Sequence, residues 1–195
     1  TCLVVTDYND KETEEICSKY EQVTVLKTDA FYKNNAPFAK SAGINAGLKL
    51  LPKDEWVVHW DADMLVGKNF ESVKKLTKLD QTKLYGPHEK LHTQKNEMGS
   101  NHHSGGTAFA GFFQLFHASQ LDKVGGYPET SKDCSCDDTL FSLQFNSVSY
   151  IDFQIFHLGP TAESRMPNVN WKGRKSCRCL YDKTDIKDFF DLEKK

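Results

Sequence analysis

Two aspartates, Asp61 and Asp63, directly follow residues 56–60, an apolar run whose composition predicts a buried strand. When a chain turns after such a strand, carboxylates two residues apart can face the same cation. Hard divalent ions such as Mg²⁺ and Mn²⁺ prefer oxygen ligands, keep several waters and share the phosphates of a substrate. An exposed turn without a ligand is the alternative interpretation. The position after a buried strand favours a site for a metal–diphosphate complex.

Another pair of acids, Asp137 and Asp138, stands at the start of residues 138–146, which have helical spacing. A carboxylate at a helix start often serves only as a cap. In an active site, one of two adjacent acids can orient while the other accepts a proton from an acceptor hydroxyl. The sequence therefore predicts either a capped helix or an acid–base site at this position.

His157 follows residues 149–156, which predict the last strand of the sheet. Imidazole is a good ligand for manganese-like metals. A structural histidine at a strand end is the alternative. We expect His157 to be the last metal ligand that the protein supplies.

The elements that must position these residues alternate along the first third of the chain. Strands are predicted at 2–6, 22–26 and 56–60, and helices at 11–20 and 37–51. This order implies right-handed crossovers and a mainly parallel sheet, in which ligands bind at the carboxyl ends of the strands. We therefore expect a single Rossmann-like α/β domain with Asp61 and Asp63 at its ligand-binding end.

The remaining two thirds of the chain are less regular. A helix is predicted at 70–79, strands at 83–85 and 107–116, and a short helix at 118–124 that is closed by Gly125 and Gly126. Residues 88–106 are polar and predict a long loop, and residues 186–192 a short helix. We expect the domain to span residues 1–160, with residues 161–195 as a tail or lid that packs on it.

Composition excludes several classes of protein. The chain has 195 residues, of which 38% are hydrophobic and 27% charged, as in a globular domain. Its net charge of -2 argues against a nucleic-acid partner held by charge. No apolar run is long enough to span a membrane. The absence of an Asn-x-Ser/Thr site favours a cytoplasmic location.

Four motifs occur in an order that resembles a known family. They are Lys40-Ser-Ala-Gly-Ile-Asn-Ala-Gly47, Asp61-Ala-Asp63, Gly125-Gly-Tyr-Pro-Glu129 and Asp137-Asp-Thr-Leu-Phe-Ser-Leu-Gln-Phe145. Together they resemble glycosyltransferases of the A-type fold (GT-A), close to the family 2 pattern, over residues 4–157. The chain departs from that pattern at Asp137, where the family has Glu, and at Gln144, where it has Arg. The alanine of the first motif is also displaced.

The resemblance implies a nucleotide-diphospho-sugar donor, expected to be a UDP-sugar, and a glycan or other hydroxyl acceptor. It implies Mn²⁺ or Mg²⁺ at the D-x-D motif and places Asp138 on the catalytic base. A single displacement would invert the anomeric configuration, and retention by a different course stays an alternative. Asp137 stands beside it, and Asp61 contributes to both metal and donor. The comparison further implies donor contacts from Thr6, Asp7, Tyr8 and Lys40, and a lid over the diphosphate from Arg165, Lys172 and Arg174.

Three alternatives remain. A sugar nucleotidyltransferase would use similar carboxylates, but it usually has a Gly-rich phosphate loop near the N-terminus, and residues 6–10 contain no glycine. A carbohydrate- or nucleotide-binding module without turnover would share the fold. A zinc-bound interaction domain would use two Cys-x-Cys pairs, whose thiols could also be free or form disulfides: Cys134, Cys136, Cys177 and Cys179.

Overall fold

The computed structural model describes residues 1–35, 39–67, 71, 78–92, 111–129 and 137–157. Most of the predicted helix 70–79, the start of the predicted strand 107–116 and the whole predicted tail lie outside these residues. So do Arg165, Lys172 and Arg174, and the predicted helix 186–192. The two Cys-x-Cys pairs are outside as well.

The described chain contains seven strands and four α-helices. The strands are β1 (Cys2–Asp7), β2 (Val23–Thr28), β3 (Trp56–Trp60), β4 (Met64–Val66), β5 (Leu84–His92), β6 (Phe113–His117) and β7 (Val148–His157). The helices are α1 (Lys11–Cys17), α2 (Lys40–Leu48), α3 (Leu121–Val124) and α4 (Asp137–Ser142), with 3₁₀ turns at Ala30–Asn35 and Ala118–Gln120. The mixed α/β class predicted from the sequence is confirmed.

The N-terminal part is a parallel pair of strands with helix α2 against it. β1 and β2 pair in parallel and are joined through α1, as the strand–helix–strand order predicts. Helix α2 approaches closely because two of its positions are glycine. A Cβ at Gly47 would lie 2.6 Å from Cγ2 of Val5, and one at Gly43 would lie 2.1 Å from the ring of Phe31.

A five-stranded sheet in the order β3-β6-β5-β7-β4 forms the rest of the fold. Only β5 and β7 pair in parallel there, whereas β3–β6, β5–β6 and β4–β7 are antiparallel. The sheet is thus less parallel than the sequence analysis predicts. The prediction extended the order of the first third to the whole chain, whereas β6 runs antiparallel to both β3 and β5, and β4 runs antiparallel to β7.

The described chain also corrects one predicted loop. Residues 88–92 belong to β5, which pairs with β7 as far as His92 and His157, so the loop predicted at 88–106 cannot begin before residue 93. Polar composition misled the prediction because strand pairing with β7 stabilises this segment irrespective of its own hydrophobicity.

Strand β6 is buried on both faces and separates two apolar clusters. Phe113 and Leu115 point into one cluster and Phe116 into the other, following the alternation of a strand. Gln114 shares the face of Phe116 and is fully buried, so the core includes a polar side chain that needs hydrogen bonds. No helix among the described residues is long and apolar enough to cross a membrane.

Candidate functional site

Lys40, the first residue of helix α2, binds Asp61, the first aspartate of the D-x-D motif. The Lys40 ammonium lies 2.7 Å from Oδ1 of Asp61 and donates to its Oδ2 at 2.8 Å. It also donates to the Gly111 carbonyl at 3.1 Å. Asp61 directly follows β3 and donates its backbone N–H to the carbonyl of Phe112 at 3.0 Å. One lysine therefore connects the carboxyl end of β3 with the segment that enters β6.

Asp61 is an ionised carboxylate in a mostly buried position. Burial alone would raise its pKa, but the hydrogen bond from His59 and the charge of Lys40 outweigh burial and hold the pKa at about 2. The His59 Nε2 atom lies 3.4 Å from Oδ1 of Asp61. Both carboxylate oxygens of Asp61 are consequently engaged by neighbouring cationic or polar side chains.

Asp63 stands two residues further, in the turn between β3 and β4. The turn is closed by the Met64 N–H, which donates to the Asp61 carbonyl at 3.1 Å, and Oδ1 of Asp63 is buried. In the antiparallel pair of β4 with β7, Met64 stands opposite His157, so the backbone of His157 is one register position from Asp63. The structure therefore brings the chain at His157 to the turn that carries Asp63.

These residues have the donor chemistry that Mn²⁺ or Mg²⁺ requires. Carboxylate oxygens and an imidazole suit such ions. Asp63 fits direct ligation better than Asp61, because Lys40 already neutralises Asp61. Among the described residues alone, no group of three or more His, Cys, Asp or Glu side chains could hold a metal ion.

The two acids of helix α4 have different hydrogen-bond partners. Asp137 is 8% exposed and accepts a hydrogen bond from the Ser41 hydroxyl of α2. Asp138 is half-buried, and its Oδ2 accepts a hydrogen bond from the Gly111 N–H at 2.6 Å. Asp137 is therefore a buried anchor between two helices, whereas Asp138 keeps part of its surface accessible.

A buried polar network also links Asp61, through His59, to helix α4. The Tyr127 hydroxyl lies 2.9 Å from Nδ1 of His59 and donates to Oε1 of Gln114. The Gln114 amide donates to the Asp138 carbonyl at 3.2 Å and to the Ser142 hydroxyl at 2.8 Å. His59 and Gln114 are cross-strand partners, so β3 and β6 present them side by side. Burial raises the pKa of Tyr127 well above 10, and the phenol stays neutral.

The Gly125–Glu129 loop is fixed to α2 by Asn45. The Asn45 side chain accepts from the Tyr127 N–H at 2.8 Å and donates to the Tyr127 carbonyl at 2.7 Å. It also donates to the Glu129 carboxylate at 2.9 Å. Gly126 has φ of +91°, and a Cβ there would lie 2.7 Å from Oδ1 of Asn45. The first and third sequence motifs are thus one structural unit.

The predicted nucleoside contacts lie at the end of β1 and form a second, more open region. Thr6 donates to Asp10 at 2.5 Å, and Asp7 accepts the Asn9 N–H at 2.7 Å. A hydrogen bond from Tyr32 and then that of Asn9 lower the pKa of Asp7. Tyr8 is 64% exposed. Among the described residues, the hydrogen bonds and ion pairs of Asp61 do not involve Thr6, Asp7 or Tyr8.

The sequence patterns predict no role for five residues that the structure places in the site: Ser41, His59, Gly111, Gln114 and Tyr127. His59 had a usable signal, since it stands two residues before Asp61 on a predicted strand and therefore shares its face. Gln114 was a polar residue inside an apolar strand, which also indicates a buried network. The contacts of Gly111 had no sequence signal, because they depend on partners 27 and 71 residues away.

Comparison with known proteins identifies the fold but no family. No protein-family model and no curated protein matches the chain. Among solved structures, the crystal structure of GalNAc-T7 with UDP, GalNAc and Mn²⁺ aligns with a TM-score of 0.58 at 12% identity. The chain has a GT-A-like fold. The alignment covers 79% of this chain and 36% of the GalNAc-T7 chain, so the present chain corresponds to about a third of that protein.

Proposed function

We propose that the chain is a metal-dependent glycosyltransferase that moves a sugar from a nucleotide diphosphate donor, expected to be a UDP-sugar, to a glycan or other hydroxyl acceptor. The observation that carries this proposal is the meeting of three carboxylates at the start of α2. Lys40 contacts Asp61, Ser41 contacts Asp137, and Asp138 joins them through Gly111. This cluster stands on a GT-A-like fold, and the similar structure of GalNAc-T7 contains UDP and Mn²⁺.

Asp63 and His157 would hold the metal, and Asp61 would contribute from its place beside Lys40. When bound, Mn²⁺ or Mg²⁺ supplies positive charge that stabilises the departing nucleoside diphosphate. Because Lys40 and His59 engage both oxygens of Asp61, this carboxylate is already oriented before any ligand arrives. Pre-orientation of a charged group lowers the cost of reorganisation during the reaction.

Asp138 is the proposed base. It takes the proton from the acceptor hydroxyl as the acceptor oxygen forms a bond to the anomeric carbon. The bond from that carbon to the diphosphate oxygen breaks at the same time, and a single displacement inverts the anomeric configuration. Asp138 suits this role because it is half-buried and positioned by the Gly111 N–H, whereas Asp137 is occupied by Ser41 inside the protein.

The nucleoside of the donor would bind at the end of β1, and residues of the C-terminal tail would cover its diphosphate. Thr6, Asp7 and Tyr8 are the proposed contacts of the nucleoside, with the exposed Tyr8 ring available for stacking. Arg165, Lys172 and Arg174 are proposed to close over the diphosphate, where guanidinium and ammonium groups bind phosphate oxygens well.

A screen of nucleotide sugars for Mn²⁺-dependent transfer and hydrolysis tests the proposal. We expect Asp63→Ala to abolish metal-dependent activity without a change in fold, and His157→Ala to raise the Mn²⁺ concentration required. Asp54→Ala, at an exposed position of a neighbouring loop, is the matched control and should behave as wild type. Full turnover in Asp63→Ala would refute the metal assignment.

The base is tested separately. Asp138→Asn should lower kcat by about two orders of magnitude or more, the scale for loss of a positioned base, with little change in donor affinity. Asp122→Asn, an exposed acid paired with Lys53, is its control. Binding of UDP with no turnover for any donor would instead indicate a nucleotide-binding module, and synthesis of a nucleotide sugar from a nucleoside triphosphate would indicate a nucleotidyltransferase.

A further inference from the structure

Both backbone groups of Gly111 make hydrogen bonds in the site, one with Lys40 and the other with Asp138. Its carbonyl accepts a hydrogen bond from Lys40 at 3.1 Å, and its N–H donates to Oδ2 of Asp138 at 2.6 Å. Lys40 is at the same time bound to Asp61. A continuous path of polar contacts therefore runs from Asp61 through Lys40 and Gly111 to the carboxylate of Asp138.

The Lys40 ammonium makes two hydrogen bonds and one further ionic contact in this path. A lysine has three N–H donors. Oδ1 and Oδ2 of Asp61 and the Gly111 carbonyl all lie between 2.7 and 3.1 Å from Nζ. A donor phosphate would compete with these three oxygens for the ammonium. The geometry therefore favours a lysine that positions protein groups over one that binds the diphosphate.

Glycine at position 111 is required by the same arrangement. A Cβ there would lie 2.6 Å from Cβ of Asp138 and 3.1 Å from its Oδ2, closer than side chains approach. The main chain of Asp138 is already fixed by Gln114, which donates to its carbonyl. What Gly111 determines is therefore the direction of the Asp138 carboxylate.

We propose that Lys40 and Gly111 are positioning residues that fix the carboxylate of Asp138 relative to Asp61. The inference rests on the proposed function, in which Asp138 acts as base, and it assigns Lys40 a different part from the diphosphate contact that the family resemblance implies. Besides its contact with Asp61, Lys40 acts on turnover through Asp138, so a large part of its effect depends on the presence of that carboxylate.

A double-mutant cycle separates the two roles. Lys40→Gln should lower kcat about tenfold or more in the wild-type background and clearly less in the Asp138→Asn background, because the carboxylate it positions is then absent and only its contact with Asp61 remains. Gly111→Ala should lower kcat similarly while the dissociation constant of UDP with Mn²⁺ stays within about twofold. Lys53→Gln, at an exposed ion pair with Asp122, should change neither background. An equal loss of kcat in both backgrounds would overturn the proposal.

An unfolding experiment decides the case even if no donor supports turnover. In urea, Lys40→Gln and Asp138→Asn should be non-additive by about threefold or more in the unfolding equilibrium constant, as for residues in one network. Lys53→Gln and Asp138→Asn should be additive within about twofold. Additivity of the first pair would show that Gly111 transmits nothing between them, whereas absent turnover with coupling intact would count against the proposed function alone.

Discussion

Two carboxylates that follow strands, Asp10 beyond β1 and Asp61 at the end of β3, both have a pKa of about 2, for different reasons. Hydrogen bonds from the side chains of Thr13 and Thr6 and from the Thr13 N–H lower the pKa of Asp10. All of these donors are within four residues, and Asp10 caps helix α1. Burial opposes ionisation of Asp61, and the hydrogen bond from His59, two residues earlier on β3, together with the charge of Lys40, 21 residues away, overcomes it.

The comparison shows that one electrostatic outcome can rest on local or on tertiary structure. The turn after β1 holds its charge through a cap that forms with the helix itself. The low pKa of Asp61, in the turn after β3, also depends on packing of α2 beside β3, because Lys40 of α2 supplies part of the compensating charge. Perturbing the fold should therefore affect Asp61 and its neighbours together, while leaving the Asp10 turn largely as it is.

The largest effect is expected from Tyr127→Phe, which removes the hydroxyl at the centre of the buried network. The change leaves His59 and Gln114 without a shared partner, and buried polar groups that lose a hydrogen bond cost about 1–3 kcal/mol each. Urea unfolding measures the loss. Tyr20→Phe, at an exposed position, should stay within about 0.5 kcal/mol of wild type, and an equally mild effect of Tyr127→Phe would contradict the network.

Acid should lower the free energy of unfolding of the protein, because it protonates Asp61 between α2, β3 and the segment before β6. Its folded pKa is below the ordinary value of 3.8, so it contributes stability that is present above pH 4 and lost as the pH falls toward 2. The shift corresponds to about 2 kcal/mol. Comparing the unfolding midpoints of wild type and Asp61→Asn at pH 5 and pH 2.5 isolates this contribution. The gap between the two proteins should narrow in acid, and a constant gap would argue against linkage at Asp61.

Asp10→Ala should have a smaller effect that stays within the N-terminal turn. The variant loses the cap of α1, and Asp10→Ser, which preserves a capping oxygen, should restore most of the stability. Chemical shifts of His59 and Tyr127 report on the assembled region and should not move. If they did, the two turns would be coupled and the contrast between them would fail.

Tyr8→Ala should produce the smallest change in stability, because the side chain is 64% exposed. The unfolding midpoint should equal that of wild type, while the dissociation constant of UDP rises about tenfold if the ring stacks on the base. Calorimetry with and without Mn²⁺ measures the constant. Unchanged UDP affinity would remove Tyr8 from the proposed nucleoside site.

The parts of the fold that were predicted from sequence are those with local causes. Strand β3 has the predicted bounds because five consecutive bulky residues favour a strand, and α3 ends at Gly125, whose φ of +76° suits glycine. The order of the strands in the large sheet could not be predicted in the same way. It depends on pairings such as that of β5 with β7, which join residues far apart in sequence.

The same distinction between local and long-range causes applies to the residues of the site. Asp61, Asp63 and Asp138 could be proposed because their residue types and positions relative to predicted elements carry chemical meaning. Their partners could not, since Ser41 and Asp137 are 96 residues apart and nothing in either segment specifies the other. Residue type indicates what a side chain can do, whereas only the assembled fold shows what it contacts.

Residues of helix α2 contact partners on several sides of the helix. Successive residues of an α-helix are rotated by about 100°, so Ser41 and Asn45, four residues apart, lie near one face and Lys40 points in another direction. Gly43 and Gly47 face Phe31 and β1. Insertion or deletion of one residue within residues 41–44 would turn Asn45 away from Tyr127 while Lys40 kept its place. The spacing between Lys40 and Asn45 should therefore accept substitutions far more readily than any change in length.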